Sequence, residues 1–450
     1  MDAAHPFSDA RFFTHAHLPI AAAYCRALDL QGIVDRMVPT GMALSAGLAV
    51  QAMVLDVLSG RSPLYRVEQF WELQDRALLL GSSVPSHVFN DTNLARALDA
   101  LFEAGPSKII TELGIRAART FGLDMGAVSY DTTSTSVWGE YRCSDREPEE
   151  KGPRIVRGHS KDGHPELKQF MTGLLCVERG VPIFGATLDG NSSDKRSNNA
   201  MLTRIGSLMA RHGLGSGAFV YVADSAMVTL DNLSVLGGNR FVSRLPGTFE
   251  ACPQAIDRAV AQGQWLPIGS LAELESPRPA AVYKGCETSV DLGGTAYRAV
   301  VVHSNAHDKR RQKAIDRELA KSLKEITDAV GQTQCRYFCE RDARCASEAL
   351  CRTETALHAI RATVCEVVVN KRGRPPKQGP RATDVRYDLQ WEIVVRDDKL
   401  QQLRERAGCF VLVTNVPSAG GDSLDATALL RTYNLSFRRF LTLNRTGLVS

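Results

Sequence analysis

The chain predicts an α/β core with a helical region ahead of it and a β-rich segment inserted within it. Three observations carry that prediction. Apolar residues recur with helical spacing through about residue 120, short apolar runs rich in β-branched residues begin near Met125, and strand-type runs prevail again from about 239 to 415 around one charged helix. The 450 residues, 44% hydrophobic and 23% charged, give room for two or three domains, each with its own core. That composition excludes a disulfide mini-protein and a disordered chain.

In the helical region, Met42 to Leu58 is apolar almost all round (Leu44, Leu48, Met53, Leu55), as a buried helix would be. A second helix starts at Asp91, places Leu94, Leu98, Leu101 and Phe102 on one face, and stops at Gly105-Pro106. In the core, Ala127 to Tyr130, Gly173 to Val177, Ile183 to Leu188 and Phe219 to Val222 read as strands, with a helix over Asn198 to Arg211. Ser144 to Arg157, with four acidic residues, four basic residues and two Pro, reads as a mobile loop. In the inserted segment, Arg240 to Ser243, Tyr297 to His303, Val364 to Val369, Trp391 to Val395 and Phe410 to Thr414 read as strands. The helix over His307 to Val330 places Ile315, Leu319, Leu323 and Ile326 on one face.

The longest apolar stretches, such as Val181 to Leu188, fall short of the roughly 20 residues a membrane helix needs. With no basic start followed by an apolar run at the N-terminus, a cytoplasmic protein is expected. The charge balance of 54 Lys+Arg against 50 Asp+Glu leaves the partner open. Of eleven Cys, Cys335, Cys339, Cys345 and Cys351 cluster at spacings that match no zinc ribbon or finger. His159 and His164, five apart in a loop, make poor metal ligands, and neither a P-loop nor a Gly-x-Ser-x-Gly elbow is present.

The chemistry points to two carboxylates. Asp131 follows the apolar run Ala127 to Tyr130, and Asp224 follows Phe219 to Ala223. A carboxylate at the end of a buried strand is costly to desolvate unless it is paired or holds a cation, although such residues also cap the next turn. If the two strands are neighbours, the carboxylates converge and can hold a divalent metal suited to phosphoryl transfer.

Ordered motifs add specificity. Tyr130-Asp131-Thr132-Thr133-Ser134, the stretch Gly158 to Gln169 (GHSKDGHPELKQ), Gly190-Asn191-Ser192-Ser193-Asp194, Val222 to Val228 (VADSAMV) and Phe241 to Pro246 (FVSRLP) follow one another along the chain. Together they resemble the DDE transposases of bacterial insertion sequences, in the branch with a β-rich insertion inside an RNase H-like core. The likeness covers roughly 85 to 430, and Pro63-Leu64-Tyr65 also looks like that branch.

The resemblance implies a helical DNA-end-binding domain over 1–120, the first part of an RNase H-like catalytic core over 121–238, a β-rich insertion over 239–405 and the end of the core over 406–450. It implies that Asp131 and Asp224 are catalytic, metal-binding carboxylates for Mg²⁺ or Mn²⁺. The implied partners are double-stranded DNA, as transposon ends and target, and a second copy of the chain in a synaptic complex. The implied activity is strand cleavage followed by strand transfer, and the implied setting is a nucleoid-associated bacterial protein. Lys161, Lys168 and Arg244 lie in the matched motifs and, with the neighbouring Lys195 and Arg196, can neutralise phosphates. Arg372, Arg374 and Lys377 fall in an Arg-Gly-Arg-Pro segment resembling the minor-groove AT-hook.

One part of the pattern departs. The family's third carboxylate is a Glu within a Tyr, Arg, Glu and Lys signature on a helix after the insertion. Here Gly408 to Asn415, Ala426, Leu429, Leu430 and Tyr433 match the approach, but Ser436 stands where Arg is wanted and Phe440 where Glu is wanted. The last 25 residues hold four Arg and no carboxylate, so the third acid is unknown; Glu366, Glu392 and Glu405 lie upstream. A frameshift or truncation of the family's glutamate helix is the expected origin, with DNA binding kept and cleavage weakened. The alternative is a non-catalytic DNA-binding remnant that regulates transposition.

Overall fold

The computed structural model describes residues 13–141, 152–160, 163–215, 217–272, 280–331, 333, 335–370, 383–421 and 423–434. They form two units, one of Met1–Arg244, Thr414–Val416 and Ala428–Ser450, the other of Leu245–Val413 and Pro417–Thr427.

The first unit opens with helices α1 (Leu18–Ala27), α2 (Leu30–Met37), α3 (Ala46–Ser59), α4 (Val67–Glu72), α5 (Arg76–Leu80), α6 (Asp91–Ala104) and α7 (Pro106–Phe121). The expected helix over Met42 to Leu58 begins later, at Ala46, because the Ser45 side chain caps it by accepting from the Leu48 N–H. For α6 the cap is Asn90, which accepts from the Asn93 N–H. Gly105-Pro106 both ends α6 and starts α7, since proline's missing N–H costs nothing at the first helical position. Trp71, Phe89, Leu79, Leu94, Leu44 and Leu55 are buried together, with the Trp71 and Phe89 rings 5.4 Å apart.

Five strands follow: β1 (Ala127–Val137), β2 (Lys168–Cys176), β3 (Pro182–Leu188), then helix α8 (Asp194–Arg211), β4 (Val220–Ala223), helix α9 (Leu230–Val235) and β5 (Arg240–Arg244). In this unit their order is β3-β2-β1-β4-β5. The first three form an antiparallel meander, whereas β4 runs parallel to β1 and β5 parallel to β4. Helix α7 lies against β3 closely enough that a Cβ on Gly114 would come within 2.7 Å of the Ile183 Cα. Asp131 is inside β1, not at its end as expected. The Thr-rich stretch after it stays extended because it pairs with β2, from Thr132↔Gly173 to Val137↔Lys168.

The second unit contains helix α10 (Ala251–Gln262), strands β6 (Leu266–Ser270), β7 (Val282–Leu292) and β8 (Thr295–Ser304), helix α11 (Asn305–Val330), strand β9 (Arg336–Tyr337), helix α12 (Glu340–Cys351), strands β10 (His358–Asn370) and β11 (Thr383–Val395), helix α13 (Asp397–Arg406) and strand β12 (Cys409–Thr414). Here the sheet order is β12-β8-β7-β6, and a second sheet has the order β10-β11-β9. Helices α10, α12 and α13 join the expected charged helix, so this unit is α/β. Ile326, Val330, Leu350, Ile360 and Leu389 form a core beneath the smaller sheet. On α11 the buried line runs Ile315, Ser322, Ile326, Val330, while Leu323 is 45% exposed. Ser322 takes the inward position because Thr355 and His358 hydrogen-bond its hydroxyl, at 2.6 and 2.9 Å, and so satisfy it in a buried setting.

Among the described residues no helix is long and apolar enough to cross a membrane.

Candidate functional site

Asp131 lies within β1, and Asp224 directly follows β4, the parallel neighbour of β1. Strands β1 and β4 are parallel neighbours with Ala127 opposite Val220, Val128 opposite Tyr221 and Ser129 opposite Val222. Asp131 lies two residues past the last of these pairs on β1, and Asp224, directly after the end of β4, is still extended at φ −72° and ψ −178°. Side chains alternate along a strand, so Asp131 shares a face with Ser129, and Asp224 shares that face with Val222.

A cation completes the row. Ala223 pairs with Ser243 across β4 and β5, so the next step places Arg244 beside Asp224. The chain returns to this edge through Thr414, whose hydroxyl donates to the Phe241 carbonyl, and Asn415, whose Nδ2 donates to the Asn239 carbonyl. Residues 426–434 are helical and bury Tyr433. Burial raises the Tyr433 phenol well above its ordinary value, while Arg244 opposes and Asp224 adds to the shift. The Tyr433 ring therefore feels both groups. Asp131, Asp224 and Arg244 line the edge at which β4 and β5 end, where open α/β sheets hold their ligands.

Each carboxylate is anchored locally. Oδ1 of Asp131 accepts from the Thr132 N–H at 2.8 Å, and Oδ1 of Asp224 accepts from the Ala226 N–H at 3.0 Å. The Ser243 hydroxyl, on a fully buried residue, donates to the Asp224 carbonyl at 2.7 Å. Both carboxylates thus cap local backbone N–H groups.

The opposite face of the sheet belongs to α8. Thr132, next to Asp131 and therefore on that opposite face, donates its hydroxyl to Asp194 Oδ1. Tyr221 donates to Asn198 Oδ1 at 2.8 Å, and Asn198 Nδ2 donates to the Asp194 carbonyl at 2.9 Å. Burial, together with the charges of Asp131 and Asp194, pushes the Tyr130 phenol up to about 12. The Tyr221 phenol is raised mainly by burial, and then by Tyr130, Asp224 and Asp131. Asp194 is engaged by Thr132 on the face of β1 opposite Asp131. Nothing in composition singles out Asn198, Tyr221 or Asp194 as partners; their one sequence signal is that Asp194 closes a matched motif.

The other motifs converge elsewhere. Buried Gln169 donates from Nε2 to the carbonyls of Gly190 at 2.7 Å and His159 at 3.3 Å, and Val156 bridges to its backbone. A Cβ on Gly158 would fall 2.1 Å from the Gly190 oxygen, and one on Gly190 would fall 1.9 Å from the Gln169 oxygen, so glycine is required at both. Arg154 adds a side-chain bond to Asp189 at 2.9 Å. Lys168 pairs with Val137, six residues past Asp131 or about 20 Å of extended chain. Its ammonium donates to the carbonyls of Glu140 and Tyr141. Of the expected DNA contacts, Arg244 ends β5 one step past the Ala223↔Ser243 pair, and Lys168 lies at the far end of the β1–β2 ladder. Lys161, Arg372, Arg374 and Lys377 lie outside the described residues, as does 144–151 of the expected loop.

Two hard oxygen donors on one face suit a hard divalent cation such as Mg²⁺ or Mn²⁺. The set fits one ion that keeps part of its water shell. Among the described residues, no group of three or more His, Cys, Asp or Glu side chains is placed to hold a metal ion.

Known proteins add little to this geometry. Residues 13–115 match the model of a domain of unknown function, DUF4277. No curated protein matches the chain. Among solved structures, a crystal structure of a pre-cleavage Mos1 transpososome is similar at 11% identity and a TM-score of 0.17, over 50% of this chain and 76% of that one. A likeness that slight carries no argument about fold or activity.

Proposed function

We propose that the chain is a DNA-processing protein of the insertion-sequence DDE transposase type, with an RNase H-like core that binds transposon-end DNA and retains weakened metal-dependent strand cleavage. The observation that supports the reading is the parallel pairing of β1 with β4, the strands that carry Asp131 and lead directly into Asp224. The meander followed by two parallel strands, in the order β3-β2-β1-β4-β5, supports an RNase H-like core. Arg244 beside Asp224 supports a phosphate-bearing substrate, since a guanidinium offers paired donors to phosphate oxygens.

Asp131 and Asp224 would hold Mg²⁺ or Mn²⁺, which when bound supplies charge stabilisation at the reacting phosphorus. Arg244 would neutralise a phosphate beside them. The partner is double-stranded DNA, with two copies of the chain joining two ends. Among the described residues no third acidic group joins the pair, and a two-acid site forfeits much of the second ion's contribution. That same observation favours a second reading, a DNA-binding regulator of transposition without chemistry.

Nicking of end-sequence DNA with Mg²⁺ or Mn²⁺ tests the proposal. Binding with slow nicking that disappears in Asp131→Asn and Asp224→Asn supports it. Binding with no nicking favours the regulator, and an absence of DNA binding contradicts both. Fast nicking that depends on both Asp would contradict the weakened site.

A further inference from the structure

We infer that the first turn of α8 is a positioning device for the carboxylate pair, with Thr132, Asp194 and Asn198 fixing the spacing of Asp131 and Asp224 from the opposite face of the sheet. The inference rests on the metal-site reading above and concerns residues for which that reading has no role.

The bonds form one continuous connection. On β1, the Thr132 N–H holds the Asp131 carboxylate at 2.8 Å, and the Thr132 hydroxyl is held by Asp194 at the start of α8. One helical turn later Asn198 accepts from Tyr221 on β4, three residues before Asp224, and ties back to the Asp194 carbonyl. Four residues of helix rise about 6 Å, comparable with the 4.8 Å between adjacent strands, so residues 194 and 198 are spaced to grip two neighbouring strands. Thr132, Asn198 and Tyr221 are 5%, 4% and 0% exposed. Buried polar groups in a satisfied network hold one geometry, because any slip strands a donor or acceptor away from water.

This arrangement matters because, among the described residues, no third acidic group joins the pair. Two like-charged groups on adjacent strands repel, and with only two acids the ion depends on their separation being held. Partners that orient metal ligands typically change affinity by about 10–100-fold when removed.

The test is Mn²⁺ titration of the full chain, read from the electron paramagnetic resonance signal of free Mn²⁺, with thermal melts of each metal-free variant. Thr132→Val keeps the shape of the side chain and removes the hydroxyl, so affinity should fall about tenfold or more, whereas Thr132→Ser should stay within about twofold of the natural chain. Asp194 is partly exposed and gives a variant that spares the core: Asp194→Ala should lose affinity, and Asp194→Asn, which still offers an acceptor oxygen, should keep most of it. Equal Mn²⁺ affinity in Thr132→Val, Asp194→Ala and the natural chain overturns the positioning role and leaves the metal site standing. Absence of any Mn²⁺ binding that depends on Asp131 and Asp224 overturns the metal site itself.

Discussion

Gln169 offers the sharpest test of how the separated motifs are joined. Gln169→Leu keeps the bulk of the side chain and removes both donated bonds. The Gly190 carbonyl is buried, so losing its 2.7 Å partner leaves an acceptor without water and costs about 1–3 kcal/mol. His159 is exposed, and water can replace its longer 3.3 Å bond, which adds little. A net loss of about 2 kcal/mol raises local opening about thirtyfold at 1.4 kcal/mol per decade. Hydrogen exchange read by mass spectrometry should therefore show faster exchange at the Val156 and Gly190 amides, which donate to Gln169 and Arg154, with amides in β4 unchanged. Unaltered exchange at those two amides would refute the idea that Gln169 pins 154–159 to 189–190.

Three further outcomes follow from particular residues. In Gly114→Ala the new Cβ meets the Ile183 backbone at 2.7 Å, neither side can yield without moving a strand, and the melting temperature should fall by about 5 °C in a thermal scan. Burial holds the His358 imidazole below its ordinary value, so the unfolded chain binds more protons as pH falls below about 6.5. Stability should then drop between pH 7.5 and 5.5, and His358→Gln should show a smaller drop in paired melts. Ser436→Arg with Phe440→Glu rewrites the tail to the signature spacing, and its nicking rate should exceed that of the natural chain and be lost again with Asp131→Asn.

Where the sequence was readable, a local rule governed the outcome. Periodicity gave α6 as a helix but not its face, since Leu94 and Ala97 are buried while Leu98 and Phe102 are exposed, and apolar runs gave β4, β5 and β12. Where it was not readable, pairing decided. The Thr-rich half of β1 extends because β2 lies beside it, and β7 was missed because its 11 residues mix charged, glycine and apolar positions. Helix α12 was hidden by its low apolar content, and α7 by a Gly-Pro pair that reads as a stop. The two carboxylates were visible as acids after apolar runs, but their alignment is a property of register, which needs the partner strand. Asp194, Asn198 and Tyr221 were invisible as a group because they act through hydrogen bonds between elements 23 or more positions apart. The face of α11 was misassigned at Leu323 because Ser322, a polar residue, is satisfied inside by His358 and Thr355.

The central claim is that Asp131 and Asp224 form one site and not two capping residues. A double-mutant cycle of Mn²⁺ affinity over Asp131→Asn, Asp224→Asn and the double variant tests it most directly. If the pair shares an ion, each single variant loses nearly as much affinity as the double, and the cycle is strongly non-additive. Independent, additive losses, or Mn²⁺ affinity indifferent to both substitutions, would contradict the account.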